Sequence, residues 1–284
     1  MRKHRLTRVL LEEYGRYLIQ EERSKNTVEK YLRDTKAFFA FLPEDKAVTK
    51  EAVVAYKERL SRAYKVSSAN SMLASVNALL AYLGWHECRV KTFRVQRRSF
   101  RDTNRELTKA EYLRLLAAAR AKGDERLFLV MQVICATGIR VSEHQFITVE
   151  AVRSGRAQVR NKGKDRVVFL PAELKKPLLD YCRRRGIVSG SVFVTRGGEP
   201  LDRSNLWASM KALCARAGVD SRKVFPHNLR HLFALTFYRL SKDVVRLADI
   251  LGHSSVETTR IYTAVTEQEQ RRQLSRLRLV AEAG

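Results

Sequence analysis

The chain predicts a mainly α fold with a small antiparallel β-sheet, arranged as an N-terminal helical bundle and a larger second domain. Three observations carry this. Apolar residues recur at three- and four-residue spacing through most of the 284 positions. The period shortens to two only between Ile147 and Leu170. Between the regular parts lies an aperiodic basic stretch, residues 89–105. The length also exceeds that of an ordinary single domain.

The elements follow in order. A helix is expected over 9–20, with Val9, Leu10, Tyr14, Tyr17 and Leu18 on one stripe. Val28, Tyr31, Leu32, Thr35, Phe38, Phe39 and Leu42 mark a second amphipathic helix, closed by Pro43. Thr49 can cap a third through Leu60. Ser68 can start a fourth, with Leu73, Val76, Leu80 and Leu83 inside and Gly84 past its end. Four helices with short connections make a bundle over residues 1–88. The first begins near residue 6, so no further N-terminal domain is expected ahead of it.

Residues 89–105 carry Arg89, Lys91, Arg94, Arg97, Arg98, Arg101 and Arg105 against Asp102 alone. They read as a linker lying along a polyanion, with Arg94, Arg97, Arg98 and Arg101 as candidate contacts. The second domain, 106–284, opens on a capping-box pattern, Thr108-Lys109-Ala110-Glu111. Helix then runs through an apolar stretch to Thr137-Gly138. A β-hairpin is expected about the turn at Lys162-Gly163-Lys164-Asp165, joined by a short strand near 147–152. Pro171 suits the first turn of a helix to Arg185, with Gly186 beyond it. From Asp202 the pattern is helical, with breaks at Gly218, Pro226, Gly252 and Thr266.

Charge narrows the function. Lys and Arg number 55 against 30 Asp and Glu, a net of +25. Residues 1–105 hold 23 basic and 12 acidic side chains, and the remainder 32 and 18. Two basic parts suit a clamp on nucleic acid better than a basic tail on a neutral enzyme. Cys88, Cys135, Cys182 and Cys214 form no CxxC pair, which argues against a zinc site and fits a reducing compartment. The longest apolar run, Leu127 to Ile139, is interrupted by Gln132 and too short for a bilayer, and the basic start has no signal core behind it. The expected location is the cytoplasm. No Gly-x-x-x-x-Gly-Lys-Ser/Thr loop and no acidic cluster for Mg²⁺ is found, against an ATPase or a DDE-type transposase.

Four segments carry candidate chemistry. Arg140 follows a helix break at Gly138, with Glu143 one turn on to hold its guanidinium fork. An Arg–Glu pair at this spacing is by itself usually a surface salt bridge. Pro226-His227-Asn228-Leu229-Arg230-His231 puts His227, Arg230 and His231 on one face near a helix start, where an anion is favoured. Of these, His231 reads as structural. His253 follows Gly252 on a turn, and Tyr262 lies nine residues later. A tyrosine can attack phosphorus to form an ester, and nearby cations would favour its ionised form.

The ordered set Thr137-Gly138-Ile139-Arg140-Val141-Ser142-Glu143, His227-x-Leu229-Arg230-His231, Leu251-Gly252-His253-Ser254 and Tyr262 resembles the tyrosine recombinases, or phage integrases, and is most similar to compact Xer-like members. The resemblance covers essentially the whole chain. It implies an N-terminal DNA-binding helical domain and a catalytic domain. It implies that Arg140 and Arg230 clamp the phosphate oxygens, that His227 and His253 hydrogen-bond the phosphate or manage the proton, and that Tyr262 attacks. A hairpin lysine would be the general acid, Lys162 by position, with Lys164 the alternative because the hairpin is one residue short. His144 stands where the family usually has an apolar residue, and would either strain packing or be exposed. The resemblance further implies double-stranded DNA with an inverted-repeat core site as partner, and a tetramer on two duplexes. A C-terminal helix bearing Leu274, Leu277 and Val280 would dock in trans. No cofactor, metal or membrane is implied, and a bacterial host would place the protein at the nucleoid. A type IB topoisomerase and a non-cleaving DNA-binding regulator of the same fold are the competing readings.

Overall fold

A computed structural model describes residues 4–94, 103–161, 164–195, 197–263 and 267–277. The chain divides into two compact units, Met1–Arg97 and Arg98–Gly284.

In the first unit, α1 (Arg8–Gln20), α2 (Lys25–Phe41), α3 (Lys50–Ala63) and α4 (Val66–Tyr82) form the expected helical bundle. Side-chain oxygens of Thr7, Ser24 and Thr49 accept from the backbone N–H three residues on, supplying partners that the first turn lacks. The helix α4 starts two residues before Ser68 with no side-chain cap. The buried stripe of α1 is Leu11, Tyr14 and Leu18, whereas Val9 is exposed. Short strands β1 (His4–Arg5) and β2 (Ala47–Val48) pair antiparallel.

The basic stretch begins as part of this unit. Asn77 donates to the Val90 carbonyl and accepts from its N–H, at 2.8 and 3.0 Å. Asn70 does the same for Phe93, at 2.9 and 2.8 Å. Seven residues apart, these amides share one face of α4 and clamp the extended chain to it.

The second unit is built around α6 (Glu125–Thr137), apolar nearly all round and therefore central. Against it pack α5 (Lys109–Ala121), whose Thr108–Glu111 capping box is formed, and α8 (Ala172–Arg185), ended by Gly186. The segment expected as a strand near 147–152 is instead the helix α7 (Val149–Ser154). Thr148 caps it through Ala151 N–H, and Val149 and Val152 are buried three apart on one face. The β-branched residues suggested a strand, but cap and burial set the period here. The hairpin is a two-stranded sheet of β3 (Arg156–Asn161) and β4 (Lys164–Phe169), in register from Arg156 opposite Phe169 to Asn161 opposite Lys164.

The helices α9 (Arg203–Lys211), α10 (Cys214–Ala217), α11 (Pro226–Ser241), α12 (Val244–Leu251) and α13 (Glu267–Arg276) complete the unit. Gly138 ends α6 at φ +68°, and a Cβ there would lie 2.4 Å from Phe233 of α11. The close approach of α6 and α11 thus needs glycine twice over, for conformation and for space.

Gly138→Ala is expected to cost about 2–4 kcal/mol, from left-handed strain plus overpacking. Gly155→Ala, at φ +73° with nothing within 4 Å, should cost only about 1 kcal/mol. Urea denaturation of both variants checks the difference. Equal losses would mean that Phe233 yields without cost.

Candidate active site

Arg230 lies in the first turns of α11, behind Pro226, and is 1% exposed. A buried guanidinium needs acceptors. Nη1 donates to the Gly138 carbonyl at 2.8 Å and Nη2 to the Leu251 carbonyl at 2.7 Å. Both oxygens belong to helix ends, of α6 and α12, where carbonyls lack intrahelical donors and the helix dipole is negative. Burial, with Arg140 nearby, lowers its pKa to about 10, so it stays charged at neutral pH.

Arg140 opens the 3₁₀ turn Val141–Phe146. Its Nη1 donates to Glu143 Oε1 at 2.9 Å and its backbone N–H to Glu143 Oε2 at 2.7 Å. Nη2 reaches the Gly252 carbonyl at 3.3 Å. Glu143 is 1% exposed and also receives both terminal nitrogens of Arg166, at 3.0 and 2.6 Å. Sequence reasoning did not single out Arg166. The available signal was alternation in β4, where Arg166 shares the inward face with Val168.

His253 follows the left-handed Gly252. Its Nε2 lies 3.1 Å from Arg230 Nη2, and its Nδ1 lies 2.7 Å from Thr259 Oγ1. An arginine can only donate, so Nε2 must accept and Nδ1 carries the proton toward Thr259. Burial first, then Arg230, Arg140, His227 and Arg166, lower the His253 pKa to about 4. His227 lines a cleft of ≈ 480 Å³ together with Arg140, Arg230, Arg203 and Trp207. Desolvation there, followed by Arg230, His231 and Arg140, holds it below the usual histidine range. Two guanidinium groups and two neutral imidazoles are thus brought together.

Tyr262 sits in the 3₁₀ turn Arg260–Tyr262, 2% exposed among Ala234, Leu235, Leu247 and Leu251, and is not among the residues lining the cleft. Its backbone N–H donates to the Thr259 carbonyl at 2.9 Å. Burial raises its pKa, and Arg230 and Arg140 offset this only in part. The cations favour the ionised phenol as expected, but desolvation outweighs them. His231 packs its ring 5.0 Å from that of Tyr262 and meets Glu106 at 3.3 Å.

His144 is not exposed. It is 3% accessible, with Nδ1 bonded to the Val141 carbonyl and Nε2 without a partner, and burial lowers its pKa. Lys162, Arg97, Arg98 and Arg101 lie outside the described residues. Of Lys164 only the backbone is described, opposite Asn161, and Arg94 is exposed. Among the described residues, the one cluster of metal-type ligands is His4, Glu87 and Cys88, in the other unit. There His4 is paired with Glu87 and stacks on Trp85. No helix among the described residues is long and apolar enough to cross a membrane.

Residues 105–269, which contain Arg140, Glu143, Arg166, His227, Arg230, His253 and Tyr262, match the pattern described as the phage integrase family. The chain belongs to that family. Residues 11–87 match the phage integrase N-terminal SAM-like domain. The tyrosine recombinase XerA of Pyrococcus furiosus is 30% identical over 99% of this chain and 98% of its own. The tyrosine recombinase XerD of Proteus mirabilis is 30% identical over 88% and 86%. A crystal structure of XerA recombinase superposes with a TM-score of 0.53 at 26% identity, covering 96% of this chain and 98% of that one. A lambda integrase dimer bound to a COC′ core site gives a TM-score of 0.71 at 19% identity, covering 90% and 94%, and shares the fold. This member of the family is a compact, Xer-like, tyrosine-type site-specific DNA recombinase.

The lowered His253 pKa has a consequence for stability. Between about 6.5 and about 4 the unfolded chain binds a proton there that the folded chain does not. Stability is therefore intact above the unfolded value and falls as pH drops through this window, by about 1–2 kcal/mol from this half-buried group once solvent screening is allowed for. Denaturation of wild type and His253→Gln from pH 7 to pH 4 should show a shallower loss in the variant. Parallel pH dependences would show that His253 is protonated in the fold as easily as out of it.

Proposed function

We propose that this recombinase cuts and rejoins DNA through a 3′-phosphotyrosyl intermediate, with Tyr262 as nucleophile and Arg140 and Arg230 holding the scissile phosphate. The supporting observation is the pair of guanidiniums pinned by Glu143 and by helix-end carbonyls, opening on one cleft. Attack on a phosphodiester builds negative charge on the phosphorane oxygens, and preorganised cations stabilise it most. Neither arginine has to be ordered at the moment of reaction.

The step balances simply. The Tyr262 oxygen bonds to phosphorus as it loses its proton, and the bond to the 5′ oxygen breaks. That oxygen takes a proton from Lys162, or Lys164 in the alternative assignment. Reversal by a 5′ hydroxyl reseals the strand, so no nucleotide cofactor is consumed. His227 and His253, neutral near pH 7, would hydrogen-bond the phosphate or take the tyrosine proton. The buried, weakly acidic phenol has to leave its apolar neighbours to attack, which ties cleavage to DNA binding.

The partner on this reading is double-stranded DNA with an inverted-repeat core site, bound by a tetramer across two duplexes. Leu274 of α13 and Leu277 just past its end are 59% and 57% exposed rather than folded onto their own unit, as a helix docking in trans would be. That favours a recombinase over a topoisomerase that works alone on one duplex. Such a protein would act in the cytoplasm, at the nucleoid of a bacterial host.

The test uses a nicked duplex carrying a site enriched from a randomised pool by the wild-type chain. Tyr262→Phe should bind it normally and form no covalent adduct. Arg140→Ala and Arg230→Ala should each cut the cleavage rate by about 10³ while changing DNA affinity little, because dozens of other basic residues hold the backbone. An adduct in Tyr262→Phe, or equal losses of binding and cleavage in the arginine variants, would overturn these roles.

The lysine assignment has its own test. A substrate with sulfur in place of the bridging 5′ oxygen releases a thiolate that needs no proton. It should rescue Lys162→Ala, with Lys164→Ala only mildly slowed on either substrate. Rescue of Lys164→Ala instead moves the acid two residues along.

A further inference from the structure

We propose that Arg166 is a positioning residue for strand cleavage, which locks the Glu143 carboxylate and through it aims the Arg140 guanidinium. The inference rests on the reading of Arg140 as a phosphate ligand.

The carboxylate of Glu143 is a shared hub. Oε1 accepts from Nη1 of Arg140 and Nη1 of Arg166, and Oε2 accepts from the Arg140 backbone and Nη2 of Arg166. Arg166 therefore fixes both oxygens at once, as a planar fork can and an ammonium cannot. Exposure sets the order of dependence. The side chains of Glu143, Arg166 and Arg140 are 1%, 14% and 34% exposed. The buried pair is the base, and Arg140 is the outer, working end. Arg140 and Arg230 line the cleft, and Arg166 does not. A residue so placed acts through another.

Two further contacts mark Arg166 as built in. Its Cδ and the edge of its guanidinium lie against Gly252, where a Cβ would come within 2.8 Å of Cδ and 3.0 Å of Nη1. Gly252 is also the residue whose carbonyl holds Arg140 Nη2. The glycine before His253 thus serves both its left-handed turn, at φ +62°, and the seat of Arg166. The Arg166 Nε is buried without a partner. Leaving an N–H orphaned is costly, and it is tolerated here to keep the fork on Glu143. Without Arg166 the hub keeps one cation and two of these four donors, and its carboxylate can swing with Arg140 attached.

The experiment measures single-turnover cleavage of the enriched nicked duplex, DNA affinity by anisotropy, and thermal melting. Variants are Arg166→Ala and Arg166→Lys, each also made with Arg140→Ala. Arg166→Ala should slow cleavage about hundredfold and change affinity less than about threefold, since aim and not charge attraction is lost. Arg166→Lys should recover little of the rate. With Arg140 already removed, losing Arg166 should slow the residual adduct formation less than about threefold, because nothing remains to be aimed. If Arg166→Ala no longer melts cooperatively, Arg166→Lys carries the comparison. A further hundredfold loss in the Arg140→Ala background would mean that Arg166 acts on the phosphate or the fold by itself, and overturns the proposal. So would wild-type rates in Arg166→Lys. Absence of cleavage by the wild-type chain would instead remove the proposed function beneath it.

Discussion

Three guanidinium groups share a small volume in the second unit with one carboxylate, and that crowding of like charge is the constraint on which the rest depends. Arg140, Arg166 and Arg230 would repel one another strongly in a low-dielectric site. Glu143 takes two of them, and the carbonyls of Gly138 and Leu251 take the third. The sum remains positive, so the site is held for an anion without collapsing on itself.

Helix ends make this possible, and the fold supplies them. The helices α6 and α12 both stop at left-handed glycines, and their last carbonyls turn to one point. Gly138 lets α6 lie against Phe233 of α11, the helix that carries Arg230. Gly252 leaves room for Cδ and the guanidinium edge of Arg166. Packing of the central helix and geometry of the cation cluster are thus one problem: a side chain at either glycine would move the acceptors away from the arginines.

Burial, together with the same cations, sets the resting state of the titratable groups. His253 accepts from Arg230 and is kept neutral, and His227 is lowered in the same sense. For Tyr262 the balance goes the other way, with burial outweighing the arginines and holding the phenol protonated. A phosphate between Arg140 and Arg230 would offset the part of the depression of both imidazoles that the arginines add to burial. Ligand and protonation are therefore coupled through Coulomb interactions already present in the free chain.

The helical class, the hairpin, the capping box at Thr108 and the ordered set from Arg140 to Tyr262 were legible in the sequence. They rest on local rules of periodicity, capping and spacing that the chain carries with it. Legibility failed where long-range burial decided the outcome. Val149 and Val152 read as strand until the core set them on a helical face. For His144 the sequence left strained packing and exposure both open, and only burial among its neighbours excluded exposure. The rise in the Tyr262 pKa depends on apolar side chains from α11 and α12, which no spacing reveals. Arg166 lies 23 positions from Glu143 in the chain, and their pairing exists only because β4 folds back beside the turn after α6. The sequence by itself determined which residues are the candidates for the chemistry. Only the tertiary structure decided which of them stay charged, because desolvation and contacts between distant segments set the energy of every ion in the site.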